Sequence, residues 1–180
     1  VGGSTAIGDY GYVLAWDELE RQRARLELPP FDEVWVAVGT GGTLAGLAVG
    51  KARRGSPGRL VGVSVWESRE RMERDVARYT EELGRLLGVN QLPAGETEIT
   101  DSFIGPKYGI PSSAGNEAIR LLAETEGLFA DPVYTGKALA GLVERARRKE
   151  LADKHVLFWH TGGTPALFRH AASLVEEGNA

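Results

Sequence analysis

Three short apolar runs constrain this chain more than any other feature: VWVAV at 34–38, LVGVSV at 60–65 and VLFW at 156–159. Each is too short for a helix and nearly continuous rather than alternating. Such a run predicts a strand covered on both faces, as in a parallel sheet. Helical patterns lie between the runs. Met72, Val76, Tyr79, Leu83 and Leu86 step by threes and fours, and Gly88 can close that helix. Ile119, Leu122, Ala123 and Glu126 predict a second helix, opened by Ser112 or Ser113 and stopped by Gly127. Leu139, Leu142, Val143 and Ala146 mark a third. A last one opens on Thr164 as N-cap and Pro165, then carries Leu167, Ala171, Leu174 and Val175. An early helix from Asp9 to about Arg23 carries Val13, Trp16 and Leu19. Strands alternating with helices predict one α/β domain over residues 1–180: a mainly parallel, three-layer sheet with helices on both faces.

The tetrapeptide TGGT occurs twice, as Thr40-Gly41-Gly42-Thr43 and as Thr161-Gly162-Gly163-Thr164. Each copy follows an apolar run and precedes a helical pattern. A Gly-rich turn lets backbone N–H groups converge on an anion, and the helix start adds free donors and a favourable dipole. Gly39 to Thr43 therefore describes a phosphate cup without a charged side chain; the same glycines also serve an ordinary strand-to-helix turn. No Lys-Ser/Thr follows them, which excludes a P-loop, and Leu44 stands where a dinucleotide fingerprint needs its third Gly. Glu67, after the next strand, keeps a nucleotide reading open. In open α/β folds ligands bind beyond the carboxyl ends of the strands. Both corners are then expected to face one crevice, one holding a phosphate and the other the far end of the ligand. The segment DSFIGPKYGIP at 101–111 embeds Tyr108 among two Gly and two Pro, and reads equally as a cover or as a surface connection. DPVYTGK at 131–137 is a turn running into a helix. There Tyr134 also reads as a core aromatic and Thr135 as an N-cap. His160 reads as a satisfied strand-end histidine.

The totals exclude whole classes. A net charge of −4 without a long Lys/Arg run offers no electrostatic case for nucleic acid or an anionic membrane. No apolar run reaches membrane-spanning length. With no Cys, disulfides, thiolate zinc sites and thiol nucleophiles are out. One Met, two Gln and three Asn, set against many Arg and Glu, lean towards a thermophilic source. The cytoplasm is the default compartment. Val1 is not an initiator Met, which fits a trimmed start or the middle of a longer protein.

Four segments, taken in order, resemble one family: GGSTAIGDYGY at 2–12, VGTGGTLAGL at 38–47, the stretch from YGIPSSAGNEAI to DPVYTGKALAGL at 108–142, and HTGGTPALF at 160–168. They are similar to the D-cysteine desulfhydrase and 1-aminocyclopropane-1-carboxylate deaminase family, of fold type II among pyridoxal-phosphate enzymes. The resemblance implies that Gly39, Thr40, Gly41, Gly42 and Thr43 bind the phosphate of pyridoxal 5'-phosphate. It implies that Tyr134 lies beside the pyridine ring and substrate, and that Tyr108 is the second active-site tyrosine. Thr161 would sit near the pyridine nitrogen with Thr135 next to it. The cyclopropane deaminases of the family carry Glu and Leu where Thr135 and Thr161 stand. A carboxylate there favours the protonated nitrogen and a stronger electron sink, whereas a threonine hydroxyl can only donate to it. A thiolate leaving group asks less of the ring, so the threonine pair implies β-elimination from D-cysteine to pyruvate, ammonia and hydrogen sulfide. The family further implies a small amino-acid substrate and a homodimer. Its Schiff-base lysine and smaller domain lie upstream of anything matching Val1, and none of Lys51, Lys107, Lys137, Lys149 or Lys154 matches that lysine. The chain is therefore expected to be the C-terminal part of the large cofactor-binding domain, inactive alone, with an exposed sheet edge or apolar patch that drives self-association. Alternatives are a deaminase of the cyclopropane amino acid, a non-catalytic phosphate- or nucleotide-binding module, and a structural piece whose loops are empty.

Overall fold

The run at 34–38 becomes the middle of the molecule. A computed structural model describes residues 3–89 and 97–176. Along the chain come α1 (Ala6–Arg25), β1 (Glu33–Val38), α2 (Gly42–Arg54), β2 (Arg59–Ser64) and α3 (Arg69–Leu87). There follow β3 (Thr97–Thr100), α4 (Ser113–Glu126), α5 (Thr135–Arg147), β4 (Val156–Trp159) and α6 (Pro165–Glu176). The four strands form one sheet in the order β3-β2-β1-β4, every pair parallel. Alternate β1 side chains go to opposite faces. Val34, Val36 and Val38 pack under Leu44, Leu47, Met72 and Val76, so α1, α2 and α3 cover one side. Trp35 and Ala37 join Val61, Val63 and Ala138 on the other, beneath α5. Helix α4 packs on α5 through Ala118, Leu139 and Ala140. This is the expected three-layer arrangement.

The helix boundaries follow the capping chemistry. Ser68 and Ser112 accept N–H bonds from Arg71 and Gly115, and Gly88 and Gly127 end α3 and α4 in the left-handed region at φ 70° and 67°. Helix α1 starts at Ala6, ahead of the expected Asp9, because Thr5 caps it by accepting from the Gly8 N–H at 3.1 Å. One contact fixes the site that follows. Gly42, Gly46 and Gly50 lie on one face of α2 with α1 directly against them. A Cβ on Gly50 would come within 2.6 Å of the Trp16 Cβ, and one on Gly46 within 2.7 Å of the Tyr12 Cβ. The missing side chains let the start of α1 lie beside the start of α2.

Four expectations change. Strand β3 was not anticipated: TEIT is short and half polar, and it sits at the sheet edge where one face suffices. Residues 90–96 lie outside the described residues. β4 is half-buried along its length rather than covered on both faces, because its one neighbour is β1. Leu86 is 62 % exposed, while Leu83 and Leu87, a full turn apart, carry the inward face of α3. Ala171 of α6 is likewise exposed, and the Val175 side chain lies outside the described residues. Among the described residues no helix is long and apolar enough to cross a membrane.

Candidate active site

The carboxyl ends of β1 and β4 open into a cavity of about 840 Å³. From β1 the chain steps outward on one side to β2 and β3 and then returns to place β4 on the other side, so the strand order reverses between β1 and β4, which is where open α/β sheets form their crevices. The two TGGT corners meet here. Gly39, Thr40, Gly41, Gly42 and Thr43 form one wall, and Thr161, Gly162 and Gly163 form another. Gly41 takes φ 102° as the N-cap of α2, and no side chain caps that helix. Its first N–H groups are thus free of side-chain partners and directed at the cavity end. The Thr40 and Ser4 hydroxyls are hydrogen-bonded to each other. The Trp66 indole N–H donates to the Gly39 carbonyl at 2.7 Å and holds the loop from the β2 side.

Two tyrosines face the cup. The phenols of Tyr108 and Tyr134 share a hydrogen bond, with ring centroids 6.0 Å apart at 72°. Trp66 meets the Tyr108 ring edge-on at 5.9 Å. The Tyr134 ring lies over Gly39, where an added Cβ would come within 3.3 Å of it. Burial, and then the bond to Tyr108, push the Tyr134 phenol up to about 12. At neutral pH the Tyr134 phenol therefore keeps its proton.

The turn before α5 explains why Tyr134 points as it does. The buried Asp131 carboxylate accepts N–H bonds from Val133, Tyr134 and Thr135 at 2.8, 2.9 and 2.8 Å. It also accepts the Thr135 hydroxyl proton at 2.7 Å, while that hydroxyl accepts the Asp131 N–H at 2.8 Å. This closed box fixes the backbone on both sides of Tyr134. Gly163, at φ 92°, brings the second TGGT corner against it, since a Cβ there would lie 2.6 Å from the Asp131 Cγ. Tyr108 is held differently. Lys137 is fully buried, and its ammonium donates to the Ile104 and Lys107 carbonyls at 2.6 and 3.2 Å. Burial lowers its pKa. The lysine thus staples the 101–111 loop to α5 and sets Tyr108 over the cavity.

Tyr134, Tyr108, Thr161 and the five residues from Gly39 to Thr43 all border one cavity. Thr135 stands apart. It is fully buried behind Tyr134, does not line the cavity, and gives its hydroxyl proton to Asp131 rather than to any ligand. His160 is a strand-end residue: Nδ1 accepts the Gly162 N–H at 3.1 Å and Nε2 is bonded to the Phe129 carbonyl at 3.0 Å. Glu67 makes a tight turn with Ser64 and does not reach the cavity. Sequence reasoning missed Ser4, Asp9, Tyr12 and Trp66, which also line it. The capping preference of Asp before Pro was the one available signal for Asp131. No group of His, Cys, Asp and Glu able to hold a metal occurs among the described residues.

Comparison with known proteins agrees with this geometry. A family model described as pyridoxal-phosphate dependent enzyme matches residues 4–162. A D-cysteine desulfhydrase of Yersinia pestis (strain Pestoides F) is 42 % identical over 171 residues, covering 94 % of this chain and 51 % of the relative. A crystal structure described as an ACC deaminase homologue superposes with a TM-score of 0.85 at 36 % identity, over 97 % of this chain and 51 % of that one. A fungal L-serine ammonia-lyase from Rhizomucor miehei shares the fold at 18 % identity and a TM-score of 0.63, over 96 % of this chain and 57 % of that one. The chain spans about half the length of the curated relatives it matches.

Proposed function

Because the chain belongs to the family of pyridoxal-phosphate dependent enzymes, we propose that it forms the cofactor-binding half of a lyase converting D-cysteine and water to pyruvate, ammonia and hydrogen sulfide. The observation that carries this reading is that both TGGT corners and both tyrosines border one cavity. The D-cysteine desulfhydrase name of relatives 42 % identical to the chain supports the substrate.

The residues present fit the cofactor. The cup glycines carry no Cβ to block a phosphate, the start of α2 is uncapped, and Tyr134 over Gly39 offers an aromatic wall beside a flat ring. The N–H groups of the Gly39 to Thr43 loop, with the Thr40 and Thr43 hydroxyls, would hold the phosphate. Thr161 would offer its hydroxyl to the pyridine nitrogen, which leaves that nitrogen without a carboxylate partner. The cofactor supplies the electron sink that accepts the electron pair of the substrate Cα–H bond. Tyr108 and Tyr134, whose hydroxyls are hydrogen-bonded to each other at the cavity, would be the acid/base groups, giving a proton to the departing sulfur as the Cβ–S bond breaks. Thr135 is a positioning residue, acting on Tyr134 through Asp131. Composition and family habit support a cytoplasmic homodimer from a thermophile.

The second reading, deamination of the cyclopropane amino acid, is favoured by the close superposition on the ACC deaminase homologue. One assay separates them. The full-length protein carrying this sequence should release sulfide and pyruvate in equal amounts from D-cysteine. Ammonia from 1-aminocyclopropane-1-carboxylate, with no sulfide from D-cysteine, would replace the first reading by the second.

A further inference from the structure

Among the described residues Asp9 is the one acidic side chain that lines the cavity, and it stands beside the Gly39 to Thr43 loop. It is 3 % exposed, and its Oδ2 has no hydrogen-bond partner. Its Oδ1 occupies the space where a side chain at Gly42 would go, so the carboxyl lies against the uncapped first turn of α2. Ser4 fills the next position, with its Oγ 2.7 Å from the Cβ site of Gly42. A buried carboxyl oxygen left unpaired costs free energy, and a bare carboxylate beside an anion site opposes what the site attracts.

From this placement we propose that Asp9 makes anion binding in the cup proton-linked: the bound phosphate receives a hydrogen bond from the Asp9 carboxylic acid, so the anion and a proton enter together. The inference rests on reading the Gly39 to Thr43 loop as a phosphate site. The surroundings favour it. The first turn of α2 holds no acidic residue and presents Gly42, Thr43, Leu44 and Ala45, none of them charged. From the loops come the neutral hydroxyls of Ser4 and Thr40, and from α1 itself Tyr12. From α3 the charged group felt is Glu82, whose carboxylate lies 3.6 Å from Arg78. Burial first, and the Glu82 charge second, push the Asp9 carboxyl up to about 6. A phosphate next to it disfavours the carboxylate further, so binding draws a proton from solvent at neutral pH.

The test uses the full-length protein carrying this sequence, freed of cofactor, and its Asp9→Asn variant, titrated calorimetrically with 4-deoxypyridoxine 5'-phosphate, which has the phosphate but no aldehyde to react with lysines. Asn keeps a donor and removes the titration. Relative to the variant, the parent should lose affinity by about tenfold for each pH unit above roughly pH 6. In buffers of different ionisation enthalpy at pH 7 the parent should take up close to one more proton per phosphate bound than the variant. Equal pH slopes and equal proton counts in the two proteins would overturn the inference while leaving the cup intact. So would the same Asp9-dependent slope with unphosphorylated 4-deoxypyridoxine, because the phosphate would then not be the partner. Failure of the parent to bind the phosphorylated probe would remove the cup, and the inference with it. If Asp9→Asn does not fold, Asp9→Ser, which also keeps a donor and does not titrate, replaces it in the same comparison.

Discussion

At the scale of single residues the site is a set of buried polar groups, each satisfied or unsatisfied for a reason. Asp131 accepts four hydrogen bonds and is satisfied. Asp131→Ala strands three N–H groups, that of Thr135 fully buried and those of Val133 and Tyr134 partly so, and is expected to cost about 3 kcal/mol in urea unfolding. It should also release Tyr134 and depress any sulfide production more than stability alone explains. Asp9 is unsatisfied, and its linkage has a definite sign. Its carboxyl sits at about 6 in the fold against an ordinary 3.8. Its contribution is complete below the lower value and is lost as pH rises through the upper one. Between pH 4 and pH 7 the chain should lose up to about 3 kcal/mol of stability from this group, and Asp9→Asn should flatten that decline. Tyr134 gives a third readout. Burial is the larger cause of its high pKa and the Tyr108 bond the smaller. Tyr108→Phe should therefore bring the late tyrosine titration at 295 nm down towards 10 without reaching it.

Among the elements, β1, β2 and β4, the C-terminus of α3 and both ends of α4 were legible because one local signal sufficed: an apolar run for the strands, Gly88 for α3, and Ser112 and Gly127 for α4. Gly42 was read with the glycine-rich turn before it, but the glycines of α2 were not legible as a packing face. That role depends on α1, which is distant in sequence. Gly46 is the sharpest case: an added Cβ would press on the Asp9 carbonyl and the Tyr12 Cβ. Gly46→Val is expected to push α1 away from α2, at about 3 kcal/mol in thermal or urea unfolding, and to weaken phosphate binding together with stability. Gly88→Ala faces open space and has only its φ of 70° to overcome, so its cost should stay near 1 kcal/mol. Asp9, Trp66 and Lys137 were not legible as site residues. Their spacing says only helix or loop, and their function arises from which segment the fold brings opposite them. TEIT failed as a strand signal for the converse reason, since an edge strand needs little apolar character.

Across the whole molecule, the end of the sheet opposite the cavity is tied by charge. Glu33 is 1 % exposed and accepts from Arg59 at 2.6 Å, Lys154 at 2.8 Å and the Trp35 indole at 2.9 Å. Arg145 of α5 stands 3.7 Å away and stacks over the Trp35 ring at 5.1 Å. One carboxylate thus joins β1, β2, α5 and the lead into β4. Burial alone would raise its pKa, but the bonds from Lys154, Arg59 and Trp35 outweigh it and hold the carboxyl below the ordinary range. Its stabilisation is present above the ordinary carboxylate pKa near 4.5 and is lost as pH falls through the lower folded value. Glu33→Gln should cost about 3 kcal/mol at pH 7, with the difference from the parent shrinking in acid. The staple from Lys137 has a different outcome for the molecule. It grips main-chain oxygens, which every amino acid possesses, so the identities at 104 and 107 are released from the task of holding Tyr108. The rim of the crevice is therefore open to mutational drift while Tyr108 stays put, a division that would let one scaffold be retuned towards different ligands.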